Sequence, residues 1–145
     1  MTRLEADHVH FAAVEVEALA LVHPWPDDDA TFDHLRFLAA SFARRGYPLL
    51  LATATVTGLI YLARVRAALA TDDFLLVRLR APAELLCKRV VEREPPGWVG
   101  LPRLLDATVR LAASMETLPG VDIVLDSEAE DVEQLVSTVY GRLLS

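Results

Sequence analysis

The sequence predicts an α/β fold, a three-layer α/β/α sandwich around a mainly parallel sheet. Three observations carry this. Short apolar runs alternate with longer stretches of helical periodicity, which implies parallel strands joined by right-handed crossovers. One run, Leu49-Leu50-Leu51-Ala52, is apolar without alternation, as in a strand covered on both faces. The length, 145 residues with 53% hydrophobic, suits one domain with a core of its own.

Residues 11–17 alternate, with Val14 and Val16 on one side and Glu15 and Glu17 on the other; period two with one polar face predicts a strand near a sheet edge. His23-Pro24-Trp25-Pro26 predicts a rigid loop, because each proline also restricts the residue before it. A helix follows over residues 27–45. Asp27, Asp28 and Asp29 suit its positive end, and Phe32, Leu35, Leu38, Ala39 and Phe42 form its inner stripe. Arg44 and Arg45 before Gly46 mark its stop.

Residues 48–53 are the second strand. A helix over 57–70 follows, with Ile60, Ala63 and Ala67 on one face, and a third strand over 74–79. Pro82 suits a first helical position, and that helix runs to about Glu94, where Pro95-Pro96-Gly97-Trp98 breaks it. Pro102 opens another helix with Leu104, Thr108, Leu111, Met115 and Leu118 inward; Gly120 ends the turn after it. Residues 121–125 are the fourth strand. Ser127 and Glu130 have capping-box spacing, and Asp126 helps cap the last helix. Val132, Leu135, Val136, Val139 and Leu143 recur there at helical steps.

Composition excludes several classes. Lys+Arg 14 against Asp+Glu 21 gives a net charge of −7, so nucleic acid is not the expected partner. The one cysteine, Cys87, permits no intrachain disulfide and suits a reducing, cytoplasmic compartment; on its helix it reads as a small core residue. The first ten residues carry Glu5 and Asp7 where a signal peptide needs an apolar core. The 18 uncharged residues 46–63 match a membrane span in length, but Pro48, Gly58 and three threonines divide them into a strand and a helix face, so no membrane span is expected. His8 and His10 share a strand face without a third ligand nearby, so surface histidines are expected and no metal site.

Ligands on parallel sheets bind at the carboxyl ends of the strands. Two arginines four residues apart, Arg89 and Arg93, share one helix face after the third strand. Guanidinium forks suit phosphate oxygens, and the Pro/Gly loop that follows has the composition of a lid. The alternative is a solvated basic face paired with Glu92 and Glu94. Glu15 and Glu17 end the first strand; a carboxylate there can accept a substrate hydroxyl proton, or simply face water. Thr53, Thr55 and Thr57 follow the second strand, where they line a ligand cleft or satisfy turn backbone.

The run Leu79-Arg80-Ala81-Pro82, Glu84-Leu85-Leu86, Arg89, Arg93-Glu94 resembles the helix leading into the lid of small P-loop NTPase kinases of the gluconate-kinase, shikimate-kinase and chloramphenicol-phosphotransferase type, and of actinobacterial AAA-family ATPase-type proteins. Residues 14–19 are similar to the second strand of that family, with Glu17 where Asp is usual, and residues 121–126 to its last strand. The resemblance covers roughly residues 10–144. It implies a P-loop kinase-like domain, residues 1–145, with ATP and Mg²⁺ as cofactors and a small-molecule hydroxyl as acceptor. It also implies that Arg89 and Arg93 steady the phosphoryl group, that Glu17 faces the acceptor, and that residues 94–103 form the lid. Specificity would lie in residues 24–29 and 98–103, Trp98 included, with Glu15, Thr55 and Thr57 beside the substrate.

One departure is large. The family's Gly-x-x-x-x-Gly-Lys-[Ser/Thr] is absent, and the only lysine is Lys88. The chain begins where the family's first helix ends, around residues 2–6. Its first strand, mid-sheet in the order 2-3-1-4-5, is missing, which leaves two neighbouring edges unpaired. A shortened kinase, a degenerate relative without ATP binding, and a separate fold that closes without the strand are the three accounts. The expected chain is inactive as it stands. The alternative is a dead interaction domain that forms a homodimer or meets a partner through its open edges.

Overall fold

A computed structural model describes residues 2–24 and 28–143. The chain is mixed α/β with two small parallel sheets, and it divides into two compact units, Met1–Asp72 and Asp73–Ser145.

The first unit runs α1 (Thr2–Ala6), β1 (Phe11–Glu15), a 3-10 turn (Glu17–Ala20), α2 (Asp28–Arg44), β2 (Leu49–Thr53) and α3 (Leu59–Leu69). β1 and β2 pair in parallel from Phe11↔Leu49 to Glu15↔Thr53. The first strand stops two residues earlier than expected. Val16 still donates its N–H to the Thr53 carbonyl at 3.0 Å, but its backbone is already helical and its side chain turns wholly into the core. That core is Val16, Phe32, Leu35, Val65 and Ala68. Phe32 and Tyr61 meet edge to face at 5.3 Å, and the Arg64 guanidinium caps the Phe32 ring at 4.2 Å.

Of the stripe expected on α2, Phe32 and Leu35 are buried and Leu38, Ala39 and Phe42 are half-buried. On α3 the expected face is the wrong one. Leu62, Val65 and Ala68 are buried, whereas Ile60 is 81% exposed and Ala63 and Ala67 are exposed. α3 is apolar around most of its circumference, so spacing alone does not select a face; the larger side chains take the core. The Leu49–Leu51 run is half-buried rather than covered on both faces, because its sheet has only two strands. The uncharged stretch 46–63 is shared between β2 and α3, and among the described residues no helix is long and apolar enough to cross a membrane.

Both helices end in the turn that hands the chain to a strand. After α1, His8 at φ +56 donates to Glu5 and Val9 to Leu4; after α2, Gly46 at φ +81 donates to Ala43 and Tyr47 to Phe42. These paired bonds close the helix around one left-handed residue. Trp25, Pro26 and Asp27, part of the expected loop and acidic helix start, lie outside the described residues.

The second unit runs β3 (Val77–Arg80), α4 (Ala83–Arg93), α5 (Leu101–Met115), β4 (Ile123–Asp126) and α6 (Val132–Leu143). β3 and β4 pair in parallel from Val77↔Ile123 to Arg80↔Asp126. β3 begins three residues late because the Leu76 N–H is taken by the Asp122 carboxylate at 2.7 Å, and its carbonyl by the N–H groups of Asp122 and Ile123. Pro82 is the N-cap of α4 rather than its first helical residue. Among the described residues of this unit only Leu125 is a buried hydrophobic, and Leu79, beside it in register, is 65% exposed. Cys87 is half-buried.

The last helix corrects two expectations. Its capping box is Asp131 with Gln134, each side chain accepting the other's backbone N–H at 2.9 Å, not Ser127 with Glu130. The true box lies four residues downstream because 126–130 is occupied by a turn that Asp126 organises. Val132 and Val136, expected inward, are exposed; Leu135, Val139 and Leu143 are half-buried.

Candidate functional site

In the first unit the chain leaves β1 and β2 side by side, which brings two expected residues together. Glu17, half-buried at the start of the 3-10 turn, accepts the backbone N–H of Thr55 on Oε1. Its Oε2 has no partner among the described residues and keeps its lone pairs open. Glu15 is exposed at the end of β1, opposite Thr53. The hydroxyls of Thr53, Thr55 and Thr57 bond nothing among the described residues, so they do not satisfy the turn backbone. The turn is tied by the Thr55 N–H and the Glu17 carboxylate instead. Thr57 precedes Gly58, the N-cap of α3, which has no side-chain cap.

In the second unit the carboxyl ends of β3 and β4 carry a continuous polar network. Asp126 accepts the N–H groups of Glu128 and Ala129 at 3.0 and 3.2 Å on one oxygen and Arg80 at 3.0 Å on the other. The two backbone donors, Glu128 first and then Ala129, hold its carboxyl below the ordinary value of 3.8; burial opposes them, and Arg80 adds to the lowering. Ser127 donates its hydroxyl to the Arg80 carbonyl at 3.0 Å. Arg89 spends two donors on Ser127, one on the hydroxyl at 2.9 Å and one on the carbonyl at 2.8 Å. Arg93, one turn on, is held by Glu94 through Nε at 2.9 Å and Nη2 at 2.7 Å. The two guanidinium groups therefore have different partners, and Lys88 lies 3.9 Å from Glu92.

Trp98 sits in the loop 94–100 and its ring lies over Gly100, where a Cβ would approach it to 2.3 Å. Gly97 supplies the left-handed turn of that loop. Val99 at its tip is 94% exposed. Residues 101–103, expected in the lid, belong to the first turn of α5.

Arg78 and Arg80 stand in the strand that leads into the arginine-bearing helix, carry no site role in the sequence reading, and both have clear partners. Arg78 reaches the C-terminal end of α5, donating to the Met115 carbonyl at 2.7 Å and to Glu116. Arg80 joins β3 to Asp126. Their signal was spacing: residues two apart on a strand share a face, and two arginines on a mostly apolar strand need partners there.

A magnesium nucleotide does not fit the donors present. A triphosphate asks for a cradle of backbone N–H groups and free cations. Here Arg89, Arg93 and Lys88 have partners of their own, and among the described residues no group of three or more His, Cys, Asp or Glu is placed to hold a metal ion. Comparison with known protein families, with curated proteins and with solved structures gives no match.

Proposed function

We propose that this chain is the body of a P-loop kinase-like nucleotide-binding domain without its first strand and phosphate loop, inactive as it stands. In the complete fold a central strand joins the two parallel pairs into a three-layer sandwich, and ATP-dependent phosphotransfer to a small-molecule hydroxyl follows. The observation that carries this is the pairing itself. Strand order 2-3-1-4-5, deprived of strand 1, leaves two parallel pairs, and β1-β2 and β3-β4 are two parallel pairs. The short helix α1 before β1 agrees with the tail of the family's first helix.

Within this reading Glu17 receives a hydrogen bond from the acceptor hydroxyl on its unpartnered oxygen. Arg93 would be the cation for a phosphate oxygen only if it left Glu94, which holds it here. Arg89 braces the turn after β4 through Ser127. Chemistry of this kind depends on positioning and charge neutralisation, which the missing lysine and N–H cradle would supply.

ATP hydrolysis by the chain is expected at the buffer rate; a clear rate abolished by Arg93→Ala overturns the inactivity. The codons upstream of Met1 give the second test. An in-frame glycine-rich stretch ending in Lys-Ser or Lys-Thr supports a shortened kinase, and an in-frame stop without one favours the alternative. That alternative is an interaction domain, favoured by the outer edges of β2 and β3, which pair with no strand among the described residues, and by the exposed Leu79. Light scattering separates them: a dimer supports the interaction domain, and a monomer that binds no partner counts against it.

A further inference from the structure

One concavity lies wholly within the first unit, at the opposite end of the strands from Glu17. Its volume is about 420 Å³, and Val9, His10, Phe11, Arg45, Gly46 and Tyr47 line it. Phe11 and Leu49 open the β1-β2 pair, so the groove sits at the amino ends of both strands. The helix-ending turns at His8 and Gly46 deliver Val9–Phe11 and Tyr47 to its walls. Ligand sites usually span about 300–1,000 Å³, with apolar walls and a few convergent polar groups.

This groove is an open one, with two apolar residues at its wall and three polar side chains exposed around it. Val9 and Phe11 are half-buried apolar wall. The side chains of Arg45 and His10, and the Tyr47 hydroxyl, make no hydrogen bond or ion pair among the described residues. Tyr47 is held edge-on against Phe42 at 5.9 Å, which fixes where its hydroxyl stands. No acidic residue lines the groove, although the protein as a whole carries −7. The carbonyls of Ser41, Phe42 and Ala43, the negative end of α2, already accept the N–H groups of Arg45, Tyr47 and Gly46.

We infer that this groove binds a small aromatic carboxylate. The planar guanidinium of Arg45 matches a carboxylate through paired N–H groups, the Tyr47 hydroxyl donates to the same anion, and the ring lies against Val9 and Phe11. One arginine and a phenol suit a single negative charge better than a phosphate dianion, and an inorganic ion would leave the apolar wall unused. The inference stands independently of the proposed function, since it uses none of the residues at the carboxyl ends of the strands.

The test is an amide NMR titration of the full chain with benzoate, with benzamide and inorganic phosphate as separate arms. Saturable shifts at His10, Gly46 and Tyr47 are expected, with benzamide and phosphate binding clearly more weakly. Arg45→Gln should weaken benzoate binding by about tenfold or more, and Tyr47→Phe by less. The Arg45 side chain has no structural bond to lose; should its variant nevertheless misfold, Tyr47→Phe and benzamide decide. No saturation at high millimolar benzoate, unchanged affinity in Arg45→Gln, or equal binding of benzamide or phosphate overturns the inference.

Discussion

Replacing Arg78 by methionine keeps the apolar stem and removes the fork that ties β3 to the end of α5. Arg78 is 11% exposed, and its bond to the Met115 carbonyl is 2.7 Å long. A hydrogen bond from a charged donor in such a place contributes about 1.5–3 kcal/mol. The Glu116 carboxylate is 57% exposed, so its share is only about 0–1 kcal/mol. A cation at a helix C-terminus adds a few tenths more. The expected loss for Arg78→Met is therefore about 2–4 kcal/mol, and for Glu116→Gln under about 1 kcal/mol. Urea unfolding followed by Trp98 emission, in a Trp25→Phe background, reports on the second unit. Arg78→Lys should recover part of the loss, since one ammonium can still reach the carbonyl. A loss below about 0.5 kcal/mol for Arg78→Met, the range of ordinary surface changes, would refute the reasoning.

Three more predictions follow from local geometry. Ala70 closes α3 in the left-handed region at φ +51; relief of about 1 kcal/mol of strain, less about 0.5 kcal/mol of glycine entropy, should make Ala70→Gly slightly more stable, and a lower thermal midpoint would count against it. The lowered Asp126 pKa means its ionised form stabilises the fold fully above the unfolded value of 3.8, and that this contribution is lost as pH falls through the folded value. The urea midpoint of Asp126→Asn should thus trail the parent at pH 7, and the gap should narrow as pH falls below 3.8; a constant gap would contradict the assignment. Gly100→Ala should displace the Trp98 ring and red-shift its emission, and an unchanged spectrum would show that the ring is not packed there.

The sequence made much of the fold legible where a single signal dominated. The alternation at 14–17, the Arg-Arg-Gly stop of α2 and the Pro-Pro-Gly break after α4 all mark real boundaries to within a few residues. What it hid were choices between near-equal alternatives. α3 is apolar on most sides, so its buried face was settled by which large side chains reached the core. Ser127–Glu130 and Asp131–Gln134 have the same capping spacing, and only the Asx turn at Asp126 decides between them. At the candidate site the approach of Glu17 to Thr55 is a pairing across 38 residues, beyond any local pattern, although both residues could be named from strand ends. Glu94, the partner of Arg93, is legible in the alternative of a solvated basic face, whereas Ser127, the partner of Arg89, lies 38 residues away and beyond any local spacing.

The self-contained pairing of each sheet has a consequence for synthesis. Every strand in the first 72 residues finds its mate within those residues. The front half can therefore acquire its ladder and seal Val16, Phe32 and Leu35 while the back half is still leaving the ribosome.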